Sequence, residues 1–309
     1  MKHLTTLLLI MHLSFLISKG QLIRTMTYNI RYDNAQDSPN SWDERKVDLS
    51  KQIFKYSPDV LGVQEAMHHQ LEFLVKNLPG YRYVGVGRDD GEQKGEYSAI
   101  IYNANKFKPD TSGTFWLSKT PETPSKGWDA AFERICTFAK FYNKEDATSF
   151  WVFNAHFDHI GPLARQKSAE LILSMINQYT QQKEAVIVMG DFNVAPSPLD
   201  IGIGEVNAKR WLKEGKTAFL PEEIEMWNSI KNLGFIDSWR EQNPSEDSIY
   251  SWFDYRSRMF DDTPKRGLRI DHIMISKNLV PAMKETGIDY EARAMEKPSD
   301  HCPVWIELK

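Results

Sequence analysis

Apolar residues in this chain come in short blocks, and most blocks stop abruptly at an Asp, Asn, Glu or His. Ala185-Val186-Ile187-Val188-Met189-Gly190-Asp191-Phe192-Asn193 is the clearest case: a β-branched run of strand length, a Gly, then two oxygen-bearing side chains separated by one Phe. Ile23 to Tyr32 and Asp59 to Glu65 have the same form, the first ending on Asn29 and Arg31 and the second on Glu65. Between them, Ser41 with Glu44 three residues on predicts a capping box and a helix to about Tyr56, before Pro58. A second helix is predicted from about His69 to Leu78, closed by Pro79-Gly80.

From Tyr81 to Asn154 the pattern changes to strands separated by turn residues: Tyr81 to Gly87, Tyr97 to Asn103, Ile135 to Tyr142 and Ser149 to His156, with a hairpin turn at Asn143 to Asp146. Leu163 to Tyr179 reads as a helix with Pro162 suited to its first turn. Residues 200 to 232 read as helical, charged and solvated. Arg269 to Ser276 and Val304 to Leu308 supply the last strands. No repeat or low-complexity segment interrupts the order. Helices alternate with strands at both ends of a strand block, which predicts an α/β protein of two packed sheets covered by helices, with polar residues gathered at strand ends.

Composition adds limits. The 309 residues are 41% hydrophobic and 26% charged, with formal net charge −4. That balance lacks the basic footprint that holds extended nucleic acid, so phosphate affinity must be local and no stable nucleic-acid complex is expected. Met1 to Gly20 reads as a signal peptide: Lys2 and His3 precede the apolar stretch Leu4 to Ile17, and small residues fall at Ser18 and Gly20. An uncleaved anchor is the alternative. The expected mature chain, 21 to 309, is one catalytic domain, secreted or periplasmic, monomeric and without a membrane-spanning segment. Cys136 and Cys302 sit in apolar runs and are expected to be free, buried thiols.

The strand-end polar residues are Asn29, Glu65, Asn154, His156, Asp158, Asp191, Asn193, Asp271, His272, Asp300 and His301. Singly, each fits a solvated loop or a helix cap. Together they follow apolar runs in six segments and form an oxygen-rich set without Cys, the chemistry of Mg²⁺ or Mn²⁺. The histidines add groups able to hydrogen-bond phosphate oxygens near neutral pH. Arg134, before a strand, is a candidate phosphate ligand or a surface ion pair; Trp252 is a candidate cleft residue.

Thr27-Tyr28-Asn29-Ile30, Gln64-Glu65, Gly95-Glu96-Tyr97-Ser98, Asn154-Ala155-His156, Gly190-Asp191-Phe192-Asn193, Arg269-Ile270-Asp271-His272 and Ser299-Asp300-His301, in this order, resemble the motif series of the endonuclease/exonuclease/phosphatase superfamily. The resemblance covers essentially the whole mature chain. It implies a four-layer α/β sandwich and Mg²⁺-dependent hydrolysis of a phosphoester by in-line attack of water. By the same resemblance, Glu65 is the principal metal ligand, completed or oriented by Asn29 and Asp300. Asp191 activates the water, Asn193 donates to phosphoryl oxygens, and His301, oriented by Asp271, faces the phosphate. His156 resembles a second phosphate-facing histidine and Tyr97 a tyrosine placed at the phosphate.

Three departures narrow the resemblance. Arg31 stands where the exonuclease III-like members have an Asp ligand, which adds a substrate-facing cation. Leu268 replaces a Trp of their abasic-sugar pocket. His156 is typical of the deoxyribonuclease I-like, sphingomyelinase-like and inositol-phosphatase-like members. Against these, Tyr250 to Arg256 resembles the exonuclease III-type loop. The expectation is a phosphodiesterase in the first place, acting on nucleic acid, a phospholipid head group, or a phosphorylated sugar or inositol. A catalytically silent binding or scaffold protein on the same fold is the rival.

Overall fold

The computed structural model describes residues 22–38, 40–181, 184–197, 200–202, 221–232, 234–245, 249–253, 267–290 and 298–309. The signal peptide expected at 1 to 20, the charged stretch within 203 to 220 and Asp254 to Arg256 of the exonuclease III-like loop lie outside the described residues. In chain order the elements are β1 (Ile23–Asn29), α1 (Trp42–Tyr56), β2 (Val60–Gln64), α2 (His68–Asn77), β3 (Tyr81–Val84), β4 (Ile100–Asn103), β5 (Phe107–Trp116), β6 (Ile135–Asn143), β7 (Ser149–His156), α3 (Pro162–Tyr179) and β8 (Ala185–Asp191). Then come β9 (Ile201–Gly202), α4 (Pro221–Asn232), β10 (Phe235–Asp237), α5 (Ser238–Gln242), β11 (Trp252–Phe253), β12 (Gly267–Leu268), β13 (Asp271–Ser276), β14 (Met283–Ile288) and β15 (Val304–Leu308).

The described strands form two mixed six-stranded sheets, β14-β15-β1-β2-β4-β3 and β10-β13-β8-β7-β6-β5, plus a small sheet β11-β12-β9. Three apolar clusters separate four layers. Val60, Val152, Ile187, Met189, Ile273 and Ile275 fill the space between the large sheets. Met26, Tyr28, Leu61 and Val63 pack outward against Leu49 and Ile53 of α1 and Leu71 and Leu74 of α2. Phe153, Val186, Val188 and Met274 pack outward against Ile172 and Ile176 of α3 and Met226 and Ile230 of α4. This is the expected two-sheet sandwich flanked by helices.

Side-chain parity decides what reaches the space between the sheets. On β8, Ile187 and Met189 point inward, so Asp191 does too. On β13, Ile273 and Ile275 share the inward face with Asp271, whereas His272 goes outward with Met274. The antiparallel register sets Asp271 opposite Asp191, and the parallel β7–β8 register sets His156 beside Asp191. Gly190 is required just before this point: its φ is +144°, and a Cβ there would run into the Ala155 carbonyl oxygen.

Some local expectations change. Ser41 is the N-cap of α1, but its side chain makes no cap hydrogen bond; its carbonyl accepts from the Glu44 and Arg45 N–H groups. The ten-residue β5 falls where no strand was predicted, because Pro109, Asp110, Ser112 and Gly113 hide its period. Its register slips between Pro109 and Thr111, a bulge that accommodates the proline at the sheet edge. Near position 200 there is a short strand, β9, before any described helix. Cys136 and Cys302 are both buried, and neither forms a disulfide among the described residues. No helix among the described residues is long and apolar enough to cross a membrane.

Candidate active site

The carboxyl ends of β1, β2, β7 and β8, the start of β13 and the Ser299-Asp300-His301 segment meet at one cleft of about 730 Å³. Its lining includes Arg31, Glu65, Arg134, His156, Asp191, Asn193, Trp252, Asp300 and His301. Asn29 and Asp271 are fully buried directly behind it. Asn29 Nδ2 donates to Glu65 Oε1 and to Asp191 Oδ2, both at 3.0 Å, and so ties two carboxylates from different sheets. The Arg31 and Tyr32 N–H groups donate to Asn29 Oδ1 (3.0 Å) and Glu65 Oε2 (3.2 Å). Arg31, Glu65 and Asn193 all have φ between 53° and 59°, left-handed conformations unusual for such residues, clustered around the cleft.

Asp191 and His301 face each other with opposite shifts. Burial and the neighbouring Asp271 raise Asp191 to about 7, despite His301, the Asn29 amide and the Asn193 N–H. Burial lowers His301, but Asp271, Asp191 and Asp300 outweigh it and raise the imidazole to about 10. His301 Nδ1 lies 2.8 Å from Asp271 Oδ2, and its Nε2 lies 3.7 Å from Asp191 Oδ2. His156 Nε2 is 3.5 Å from the same Asp191 oxygen. Burial, then Arg134 and Arg88, hold His156 well below its usual value, so this imidazole is neutral at pH 7. One histidine is therefore a cation and the other a neutral donor or acceptor.

Two places could hold a divalent cation. Asp191, Asp271 and His301 lie close enough to share an ion, but His301 is protonated and Asp271 Oδ2 is occupied by it. The second place is beside Glu65 and Asp300. Burial would raise Glu65, yet Arg31, His301, Asn29 and the Tyr32 N–H hold it below the usual range, so it is ionised. Asp300 Oδ1 is buried with no hydrogen-bond partner among the described residues, while its Oδ2 accepts from Trp252 Nε1 at 3.3 Å. A buried, unsatisfied carboxylate oxygen beside an ionised carboxylate fits a hard cation such as Mg²⁺. Asp271 Oδ1 is likewise buried with no hydrogen-bond partner among the described residues, so each place offers an open carboxylate oxygen.

Other candidates take different places. Arg31 pairs with Asp37 (Nε to Oδ2, 2.9 Å) and extends Nη1 to 3.9 Å from Glu65 Oε2 and 4.0 Å from Asp300 Oδ2. Arg134 is buried within the cleft wall, held by Asp158 rather than by a surface partner. Asn193 lines the cleft while its Nδ2 donates to the Phe157 carbonyl at 3.0 Å. Tyr97 does not line the cleft: its hydroxyl donates to the Glu92 carbonyl at 2.9 Å and lies 3.3 Å from His68 Nδ1. Asn154 is also away from the cleft. Its Nδ2 donates to the Val63 and Ala99 carbonyls and its Oδ1 accepts from Gln64 Nε2 at 2.6 Å, joining the two sheets. His272 is buried against the Val194 carbonyl and Arg269. Sequence reasoning passed over Arg88, Glu96 and Phe132, all in the cleft lining. Only Glu96 had a signal, its place inside the Gly95-to-Ser98 motif.

Comparison with known proteins gives one family. Its sequence model, described as "Endonuclease/Exonuclease/phosphatase family", matches residues 26–301. Exodeoxyribonuclease III of Haemophilus influenzae is 36% identical over 280 residues, covering 87% of this chain and 97% of that protein. A crystal structure of an endonuclease/exonuclease/phosphatase family protein from Bacteroides thetaiotaomicron is 33% identical, with a TM-score of 0.73 over 93% of this chain and 98% of that one. A mannosyl-6-phosphatase from the same species is 33% identical, with a TM-score of 0.71 over 93% and 99%.

Proposed function

This chain belongs to the endonuclease/exonuclease/phosphatase family, hydrolases of phosphoester bonds, and on that premise we propose that it is a Mg²⁺-dependent phosphoesterase acting on a small phosphorylated molecule. One observation carries the reading: Asp191 lies between a cationic His301 and a neutral His156, beside the Glu65–Asp300 carboxylates.

Glu65 and Asp300 would hold the metal, with Asn29 orienting Glu65. When bound, Mg²⁺ supplies positive charge that offsets the charge of the phosphoryl group. Asp191, with its pKa near the operating pH, takes a proton from the attacking water. The water oxygen bonds to phosphorus as the ester P–O bond opposite it breaks, and the departing alkoxide oxygen takes a proton from solvent and leaves as the alcohol. Protonated His301 and the Asn193 amide donate to non-bridging phosphoryl oxygens, and His156 adds a neutral hydrogen-bonding group. Arg31 stands where a second anionic oxygen of the substrate would meet it.

The relatives named above bracket the alcohol part, a nucleotide for one and a sugar for the other. The described cleft lining favours the smaller ligand: Arg31, Arg88 and Arg134 are matched by Glu65, Glu96, Asp191 and Asp300, leaving no cationic track for a strand of nucleic acid among the described residues. We also infer a single catalytic unit, 21 to 309, exported after removal of residues 1 to 20 and active as a monomer. The test is a panel of p-nitrophenyl phosphate, bis-p-nitrophenyl phosphate, a hexose phosphate and plasmid DNA, each with Mg²⁺ and with EDTA. Full turnover in EDTA overturns the metal role, and no turnover of any ester favours a silent scaffold.

A further inference from the structure

The end of the sandwich away from the cleft carries a second concavity of different chemistry. It opens where the start of β3, the end of β4, the start of β5 and the β6–β7 turn come together, with a volume of about 590 Å³. β4 runs antiparallel to β2, so its carboxyl end lies opposite the end that delivers Glu65. Along β7, Ser149 to His156 separates the turn from the cleft, roughly 23 Å at about 3.3 Å per residue. Arg82, Lys108 and Lys144 line this pocket, and among the described residues no carboxylate does. Lys108 Nζ lies 3.9 Å from Asp110 Oδ1 in a loose, exposed pair, and Lys144 Nζ donates to the Ala104 carbonyl at 2.6 Å. Arg82 is exposed and has no ion pair or side-chain hydrogen bond among the described residues. Directly across the β3–β4 register stands Tyr102. Its ring packs 5.1 Å from Phe141 and the residue is only 6% exposed, yet its hydroxyl is neither hydrogen-bonded among the described residues nor sealed from the pocket. Burial raises the Tyr102 pKa against the charge of Arg82, so the phenol is a neutral donor.

We propose that this pocket is a second, non-catalytic binding site, and that its ligand is a compact oxyanion of diphosphate type, free or borne on an organic group. The inference does not rest on the phosphoesterase reading. Charge sets the class of ligand: of the three lining cations only Lys108 has an acidic neighbour, so two positive charges stand without a carboxylate. A singly charged anion gains little here, because each exposed ion pair is weak and screened by salt. A multiply charged oxyanion meets both ammonium groups, the planar Arg82 fork and the Tyr102 hydroxyl at once. Every donor it needs is open to the pocket. A strand of nucleic acid fits poorly, because Asp110 and Glu145 stand beside Lys108 and Lys144 in the chain and interrupt any longer basic track. The field of a bound anion decays over about 10 Å at ordinary salt, well short of the cleft, so the two sites act independently.

The test is calorimetric titration of the full chain with pyrophosphate and with ADP, at pH 8 and without divalent metal. The cleft also offers cations, so Arg31→Ala serves as the background in which pocket binding must persist. The expected result is saturable binding of one equivalent that survives Arg31→Ala. Affinity should then fall about tenfold or more in Arg82→Ala, the scale of losing one charged hydrogen-bonding partner. Tyr102→Phe, which keeps the buried ring, should weaken it about threefold, the scale of one neutral hydrogen bond. Thermal midpoints of the ligand-free variants should match that of their background, which shows that each loss is of binding and not of folding. Equal affinity for the two probes assigns the site to the diphosphate alone, and tighter ADP to a diphosphate carried on an organic group. Binding abolished by Arg31→Ala, binding indifferent to both Arg82→Ala and Tyr102→Phe, or a titration that never saturates overturns the site.

Discussion

Asp271 and His301, thirty residues apart, meet with His301 Nδ1 at 2.8 Å from Asp271 Oδ2. That contact orients the ring and keeps the imidazole charged far above its ordinary range. It turns the other ring nitrogen toward Asp191, so the base and the phosphate-facing cation are set by a residue that does not itself line the cleft.

The pH profile follows. A base works deprotonated, so kcat/KM should rise as Asp191 ionises around 7; a cationic donor works protonated, so it should fall as His301 loses its proton around 10. Saturating Mg²⁺ should move the acidic limb down, because a nearby cation favours the carboxylate. Asp271→Asn should bring the alkaline limb below 10 and cost about 10²-fold in rate. An unchanged alkaline limb in that variant contradicts the pairing.

Asp191→Asn should reduce kcat about 10²- to 10³-fold, the scale of losing one transition-state group. It should also raise the thermal midpoint of the metal-free protein at pH 8. The folded-state pKa of Asp191 lies above its unfolded value, so folding is progressively weakened as pH rises from about 4 through 7. Removing the carboxylate removes that loss. Thermal scans at pH 5 and pH 8 with EDTA check the sign.

Asn154→Ala should cost about 3 kcal/mol of stability in urea unfolding, because the Gln64 amide and the Val63 and Ala99 carbonyls lose a buried partner. Gly62→Ala should strain the same place, since its Cβ would lie 2.7 Å from both Asn154 Oδ1 and Met189 Cε. A cost below about 1 kcal/mol for Asn154→Ala contradicts its role in joining the sheets.

Asp158 should carry acid sensitivity. Burial raises its pKa, but the Gly161, Ile160 and Ala131 N–H groups and Arg134 outweigh this and hold it at about 2. A depressed carboxylate stabilises above its unfolded pKa of about 3.9 and loses that contribution as pH falls through 2. Asp158→Asn should therefore be less stable at pH 5 and flatter between pH 4 and pH 2, read by thermal midpoints. Parallel curves for the two proteins contradict the linkage.

Most of the strand framework was legible because the signal is periodic and local. Alternation along β7, β8 and β13 fixes which side chains share a face, and the abrupt end of each apolar run marks where Glu65, His156 and Asp191 emerge. Strands with broken patterns were not legible: Pro109 and Gly113 hide β5, and the polar edge strand β14, Met-Lys-Glu-Thr-Gly-Ile, resembles a loop until β15 pairs with it.

What the sequence determined by itself was the sandwich, the order of its elements and the set of polar residues delivered to one end, since each depends on neighbours in the chain. Only the tertiary structure decided which of them meet. Registry across β8 and β13 selected Asp271 over His272, Asn154 went to the sheet interface, and the Tyr97 hydroxyl took the Glu92 carbonyl. Arg88, Glu96 and Phe132 became a wall because distant loops close over the same cleft, a proximity that no periodicity along the chain encodes.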